Sequence, residues 1–403
     1  RWRVFWVLVI VFDFFYTVFL NTISLKVTAF MLPTCIVLAV LMGAGIGAMV
    51  EVVGSWRRIG RSVRVAIKVG CALIPAIGLV SNYALCDQSR NYTGYEFGLN
   101  LLRTVSPGDA ILTNGDNYVF PLTYARVVER MREDVVIYDR LNVIFGMPGM
   151  GPYTSVRDRV WVRRRNEVER SLIKENGYQN IFYAVYGPYS ITMPEGYKLV
   201  PYGLLYLALG ASDKPKSPES EKIWQYYSNE SFRADFQRDF MNREVCAYYY
   251  FARGRHFIFS GLNRAGLADL KLASQIGYDD TLIHSDMAVF LIDRGYFEEA
   301  RKELEKALVY HEDLAGVYNN WGYYYYRKRE YQKAIDFIKK ALELSPKNFG
   351  YYNNLGFAFY EAGKKRDSFR AFQRSMELNH KQPKIQTFLK EKLEYDCRKQ
   401  GKQ

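Results

Sequence analysis

Amide side chains recur at a fixed spacing in the C-terminal third of this 403-residue chain. Asn319 and Asn320 are followed 34 residues later by Asn353 and Asn354. A carboxamide offers both donors and an acceptor, so each of these side chains can both donate and accept hydrogen bonds. Aromatic residues lie beside them, at Tyr323, Tyr326, Phe357 and Tyr360. These amides and aromatic residues are candidates for contacts with a partner.

A second polar stretch, Asn114-Gly115-Asp116-Asn117, follows a strand-like run at Ala110–Thr113. Two interpretations stay open. In the one we favour, the stretch is a strand-to-helix turn in which Asp116 or Asn117 bonds nearby amides and Pro121 starts the helix. In the other, it is a ligand-facing loop at the end of a strand, where α/β units often bind.

No residue pattern indicates a metal site or a catalytic group. The histidines show no metal-ligand spacing, and no nucleotide-binding glycine loop is present. Cys86, Cys246 and Cys397 are far apart and form neither a metal motif nor a disulfide framework. One pair could form in an oxidising compartment, and the sequence does not choose it. We therefore assign no catalytic residue and expect no metal or cofactor in this chain.

The elements that position the amides repeat with the same period of 34 residues. One column holds small residues, at Gly254, Ala288, Gly322 and Gly356. A second column holds bulky apolar residues, at Phe257, Leu291, Tyr325 and Phe359. Small residues let paired helices approach closely, and bulky ones fill the space between them. The pattern predicts four helix pairs that must stack to cover their apolar faces.

This array resembles the tetratricopeptide repeat (TPR), with four copies at 246–380 and a capping helix at 381–397. The first copy departs from the pattern at Arg253, where a large apolar residue is usual. The resemblance implies a concave groove, lined by the first helix of each pair, that binds a partner protein. The Asn320/Asn354 pair resembles the asparagine ladder of the O-linked N-acetylglucosamine transferase, although Asp286 and Ala252 fill the equivalent positions. Alternatively, these asparagines are simply repeat consensus.

Three apolar runs, Val4–Leu20, Val27–Val50 and Val69–Leu85, predict transmembrane helices within residues 1–85. The net charge of the chain is +13, and residues 1–84 contribute eight basic residues against two acidic ones. This clustering favours a membrane rather than a nucleic-acid partner. Asp13 is a carboxylate inside a predicted span, where such groups usually face protein or water.

The basic residues also predict a topology. They cluster before the first span and around Arg58, which places the N-terminus on the cytoplasmic side. Three crossings would then put the remainder of an integral membrane protein on the exoplasmic side, periplasmic or luminal. Strands alternating with helices predict an α/β domain at 86–211, followed by a linker and helical lead-in at 212–245. The expected fold class is transmembrane α-helices, then a small α/β domain, then an all-α TPR solenoid.

The segments Gly108–Tyr124, Arg132–Ile137 and Gly203–Tyr206 resemble a polytopic membrane family grouped with protein O-mannosyltransferases. Tyr118-Val119 stands where the family's usual motif has Asp-Thr, so a second carboxylate is absent. The resemblance implies transfer of sugar from a polyprenyl-phosphate donor to a Ser or Thr hydroxyl. It implies a catalytic carboxylate upstream of Arg1, because the short loop Asn21–Lys26 contains no acid. The start at Arg1, without an initiator Met, likewise leads us to expect a fragment.

Two rival functions remain. One is a membrane-anchored TPR scaffold without catalysis. The other is an oligosaccharide polymerase or ligase with a TPR tail, which leaves the Asn114–Asn117 stretch and the α/β unit unexplained. Donor, acceptor and oligomeric state are not predicted.

Overall fold

A computed structural model describes residues 61–86, 91–152, 159–174, 177–185, 196–210, 212–213, 217–233, 240–310, 314–380 and 382–394, with a few residues between 43 and 60 and isolated ones at 89, 191, 193 and 194. The chain divides into two compact units, Arg1–Ser89 and Arg90–Gln403.

The first unit contains helix α1 (Arg61–Cys86). Its first eight residues include Arg61, Arg64 and Lys68, and Pro75 interrupts the apolar run that follows. Over the described residues, no helix combines the length and the apolar character that crossing a membrane requires. Asp13 and the predicted span at 4–20 lie outside those residues. Of the predicted span at 27–50, only residues 43–45, 47 and 48 are described.

This finding corrects two predictions. The fold class that began with transmembrane helices is wrong, and the chain is instead mostly helical, with a helical solenoid and a small mixed sheet. The integral-membrane location is wrong as well, and the exoplasmic placement of the later regions, which depended on three crossings, is withdrawn with it. A lipid bilayer as partner is likewise unsupported.

The second unit begins with α2 (Thr93–Arg103) and a five-stranded sheet of order β2-β1-β3-β5-β4. The strands are β1 (Ala110–Thr113), β2 (Val136–Asp139), β3 (Ile181–Ala184), β4 (Tyr197–Tyr202) and β5 (Leu205–Gly210). β1 pairs in parallel with β2 and β3, while β5 runs antiparallel to both β3 and β4. All four residues of β1 are buried, as expected for the central strand of parallel pairs.

Two details of the sheet region differ from the sequence prediction. The run Tyr197–Leu209 predicts one strand with a break at Pro201, whereas the structure has a hairpin whose turn lies at Gly203, with φ of +57°. Pro201 stays inside β4, an edge strand, where its missing N–H removes no ladder bond. The helix predicted to start at Pro121 is α3 (Asp116–Thr123), which continues as a π-helical turn at Tyr124–Val128.

Further helices lie between the strands and before the array. They are α4 (Arg159–Lys174), α5 (Ser217–Tyr226) and α6 (Glu230–Arg233). α2 contacts α5 and α6, and Asn100 bonds both the Ser228 carbonyl and the Ser228 N–H. The segment after the sheet is therefore folded back against α2.

Four antiparallel helix pairs follow. They are α7 (Phe240–Phe259) with α8 (Asn263–Ile276), α9 (Thr281–Asp293) with α10 (Phe297–Tyr310), α11 (Leu314–Arg327) with α12 (Tyr331–Leu344), and α13 (Phe349–Glu361) with α14 (Lys365–Leu378). The predicted small column lies at each pair's crossing: Gly356, for example, faces the ring of Phe372. A short helix α15 (Pro383–Phe388) and a π-helical turn (Leu389–Glu394) follow the last pair.

One apolar cluster runs from α2 through the sheet into the third helix pair. It includes Phe97, Tyr118, Leu204, Tyr248 and Trp321. The sheet and the first repeats thus share a core instead of meeting only through surface contacts.

Candidate functional site

The Asn114–Asn117 loop lies at the C-terminal end of β1, next to β3. The Asn114 N–H donates to the Ala184 carbonyl, and Gly115 takes a φ of +99° before the first turn of α3. Asn117 Nδ2 donates to Glu244 Oε2 at 2.9 Å, which ties the loop to α7. Asp116 is exposed. Gly115 thus shapes the turn into α3, and Asn117 fixes it to α7. Ligand binding by this loop stays a prediction.

A buried charge network, which sequence reasoning missed, follows the neighbouring strand β2. Arg140 donates to both carboxylate oxygens of Glu169 on α4, at 2.7 and 3.4 Å, and each side chain is about 3–4% exposed. Asp139 accepts from the N–H groups of Leu141, Val143 and Ile144. These bonds hold the loop after β2 against α4. No sequence spacing links Arg140 to Glu169, so only the fold brings them together.

The array presents the second candidate site on its first helices, α7, α9, α11 and α13, which contact one another in succession. A helix turns by about 100° per residue, so a residue two positions before the small column lies roughly opposite the second helix. Asp286, Asn320 and Asn354 occupy that position in the last three repeats. We call the surface that they mark the inner face.

Three of the four predicted asparagines, Asn319, Asn353 and Asn354, make side-chain hydrogen bonds. Asn354 Nδ2 donates to Asn319 Oδ1 at 2.8 Å, across two repeats. Asn353 Nδ2 donates to Gln382 Oε1 at 2.6 Å, and Asn353 Oδ1 is buried without a partner. In the part of the chain that the structure describes, the Asn320 amide makes no hydrogen bond. Asn320 is thus the amide best placed for a ligand.

A charged triad also links the second and third repeats. Arg327 donates to Asp293 Oδ1 at 2.7 Å and to the Tyr323 hydroxyl at 2.8 Å, and Tyr323 donates to the same Asp293 oxygen. Burial raises the pKa of Tyr323, and its bond to Asp293 adds to the rise. Asp293 and Arg327 are 34 residues apart, so opposite charges in one repeat column could have revealed this pair.

The N-terminal end of the inner face is covered by the sheet region. Tyr248 packs against the rings of Phe97 and Tyr118, and its hydroxyl donates to the Leu204 carbonyl at 3.2 Å. Arg255 Nη1 donates to the Tyr206 hydroxyl at 2.8 Å. Both residues are on the inner side of α7, so the sheet region covers this side of the first repeat where the structure describes it.

The C-terminal end is partly covered by α15. Phe357 lies 5.2 Å from the ring of Phe388, and Tyr360 lies 5.1 Å from it. Phe357, predicted as a groove residue, therefore packs against the capping helix. Among the described residues, nothing covers the inner face of the second and third repeats, on α9 and α11.

The described residues contain no group of three or more His, Cys, Asp or Glu side chains that could hold a metal ion. Cys246 is buried and free, and its thiol lies 3.6 Å from the Phe232 carbonyl. The side chains of Cys86 and Cys397 lie outside the described part of the chain.

Comparison with known proteins identifies one repeat within the array. The tetratricopeptide repeat family model matches residues 315–348, which hold α11 and α12. Protein IFIT1 homolog B of Homo sapiens is 36% identical over 88 residues, 22% of this chain and 19% of that protein. The chain thus spans about a fifth of that relative's length.

Solved structures match a larger part of this chain than that relative does. PilF of Pseudomonas aeruginosa is 24% identical, covering 39% of this chain and 74% of its own, with a TM-score of 0.32. MamA of Desulfovibrio magneticus RS-1 is 18% identical, covering 34% and 78%, with a TM-score of 0.30. The chain contains a tetratricopeptide repeat within a TPR-like solenoid, of the kind that suggests protein binding. The comparisons give no support to the predicted relation to O-mannosyltransferases or to glycosyltransferase activity.

Proposed function

We propose that this chain is a non-catalytic scaffold whose repeat array binds an extended segment of a partner protein. The binding surface is the inner face of the second and third repeats. The observation that carries the proposal is the Asn320 amide, which has no hydrogen-bond partner in the described part of the chain. Asn320 lies on the third repeat, between a first repeat covered by the sheet region and a last repeat partly covered by α15.

The dimensions of the open surface support a short linear partner. Packed helices lie about 8–10 Å apart, so α9, α11 and the near edge of α13 span roughly 20 Å. An extended chain advances about 3.3 Å per residue, and about six residues would cross this surface. Asn320 would donate to and accept from one peptide unit of that segment, and Asn319 and Asn354 would flank it.

The test begins with selection of a phage-displayed random-peptide library on the complete chain. Enriched peptides are then titrated by fluorescence polarisation against the wild-type chain and the double variant Asn320→Ala/Asn354→Ala. Loss of main-chain hydrogen bonds should weaken binding about tenfold or more, which corresponds to roughly 1.4 kcal/mol.

The matched control is Gln373→Ala, which removes an exposed amide from the second helix of the last repeat. We expect its affinity to equal that of the wild-type chain, and circular dichroism should show both variants folded. Failure of every peptide to enrich, or equal affinity of the double variant, would overturn the proposal.

A further inference from the structure

Asp286 occupies on α9 the position that Asn320 and Asn354 occupy on α11 and α13. The side chain is partly buried and lies within the open part of the inner face. Among the described residues, its carboxyl group has neither a hydrogen-bond donor nor an ion-pair partner in contact. A carboxylate offers only acceptors, unlike the amides in the same column, and therefore requires a donor.

The cation that attracts Asp286 from within the chain is Arg255, whose Nη1 bonds another group while its Nη2 is buried without a hydrogen-bond partner in the described part of the chain. Arg255 on α7 is 6% exposed and donates through Nη1 to the hydroxyl of Tyr206. Its guanidinium carbon lies 5.1 Å from the centre of the Tyr206 ring and 5.2 Å from that of Phe251. Arg255 attracts the Asp286 carboxylate electrostatically without forming an ion pair with it.

We infer that Asp286 selects a basic side chain, Lys or Arg, in the extended segment that the inner face binds. This inference rests on the proposed function and names the chemistry of its partner. Asn320 holds the main chain, while the Asp286 carboxylate, one repeat towards the N-terminus, receives the donor-only head of the basic residue. A Lys or Arg head supplies several donors and a positive charge to an inner-face acid that has no contact partner among the described residues.

The charged surroundings make this selection dependent on pH. Burial raises the pKa of Asp286 to about 7; Arg255 opposes the rise, and Asp280 at the start of α9 adds to it. Only the ionised carboxyl attracts a cation. Affinity for a basic peptide should therefore fall as the pH drops through about 7, because protonation removes the charge.

The experiment compares two versions of an enriched peptide on the complete chain, one with its basic residue and one with Gln in its place. We expect the wild-type chain to prefer the basic peptide by about tenfold near pH 8, as for one charge-assisted contact. Asp286→Asn, which keeps the size of the side chain, should remove the preference, so that the two peptides bind the variant with equal affinity. Titrations near pH 6 should show the preference shrinking in the wild-type chain and no change with pH in the variant.

The outcomes separate this inference from the proposal beneath it. Peptides that bind through Asn320 but show no basic preference, or that keep the preference in Asp286→Asn, overturn the inference alone. Absence of any peptide binding overturns the proposed function, and the inference falls with it.

Discussion

His284 is fully buried between two acceptors at the junction of the first two repeats. Its Nδ1 lies 2.6 Å from Glu303 Oε2, and its Nε2 lies 3.2 Å from the Tyr278 carbonyl oxygen. A carbonyl oxygen only accepts, so Nε2 carries a proton. Burial works to raise the pKa of Glu303, but bonds from His284 and Lys306 outweigh it and the pKa lies below its usual value. Glu303 is therefore ionised near neutral pH, where it accepts from the His284 ring and from the Lys306 ammonium group.

This geometry predicts that Glu303→Gln destabilises the chain most near neutral pH. A carboxyl group with a lowered pKa in the folded state stabilises the fold above its unfolded pKa, about 4.3. That stabilisation disappears as the pH falls through the folded pKa. We expect a loss of roughly 2–4 kcal/mol in the free energy of unfolding near pH 7, shrinking below about pH 4.

Urea unfolding at several pH values measures this difference. Glu299→Gln, an exposed position on the same helix, is the matched control and should change stability by less than about 0.5 kcal/mol. A difference between wild type and Glu303→Gln that is independent of pH would contradict the lowered pKa of Glu303.

Arg253 illustrates what the residue pattern could not predict. It breaks the apolar column of the first repeat, and the structure shows why this is tolerated. Its guanidinium donates to both oxygens of Asp269 on α8, at 2.6 and 2.8 Å, and lies over the rings of Tyr249 and Tyr250. The partner is 16 residues away, at no repeat spacing, so pairing the two required the folded helices.

Among the helices and strands, the helix pairs were predictable from the repeat columns. Each column holds the residues that make the same helix–helix contact in successive copies. A Cβ on Gly356 would lie 2.7 Å from two carbons of the Phe372 ring, and one on Gly322 would collide with Ile338. The start of α3 was mispredicted because Gly115, with its positive φ, begins the helix, and Pro121 is accommodated inside it. The order of the five strands depends on long-range pairing that no local pattern records.

The tight crossing predicts the effect of one added methyl group. Gly356→Ala should lower the free energy of unfolding by roughly 1–3 kcal/mol, because the Phe372 ring must move. Ordinary helix propensity favours Ala over Gly by about 1 kcal/mol, so the expected sign is the reverse of the propensity effect. The comparison is made by chemical denaturation.

Gly94→Ala in α2 is the control, since a Cβ there meets nothing within 4 Å. We expect it to be neutral or stabilising by up to about 1 kcal/mol. Equal effects of the two substitutions would show that the crossing tolerates a larger residue.

At the scale of the molecule, the sheet and the array share one core, a relation that the sequence did not predict. The sequence indicated separate regions because strand alternation and the 34-residue period are read from different stretches. Tyr248 belongs to the repeat array by its position, yet its side chain packs in the sheet region. The apolar runs near the N-terminus likewise predicted membrane spans, which the described helices do not support.

The shared core predicts coupled loss of protection. Tyr248→Ala should destabilise the chain by about 3–5 kcal/mol, and hydrogen exchange should accelerate together in β5 and in α7. Tyr226→Ala, at a side chain that is 67% exposed, should leave both unchanged. Faster exchange confined to α7 would show that the sheet is stable without the array.

The most direct test of the account is photo-crosslinking of a selected peptide that carries a photoreactive phenylalanine to the complete chain, with the attachment sites read by mass spectrometry. Binding on the inner face predicts adducts within Thr281–Asp293 and Leu314–Arg327, suppressed by excess unlabelled peptide. Adducts confined to the second helices, Phe297–Tyr310 and Tyr331–Leu344, would contradict it.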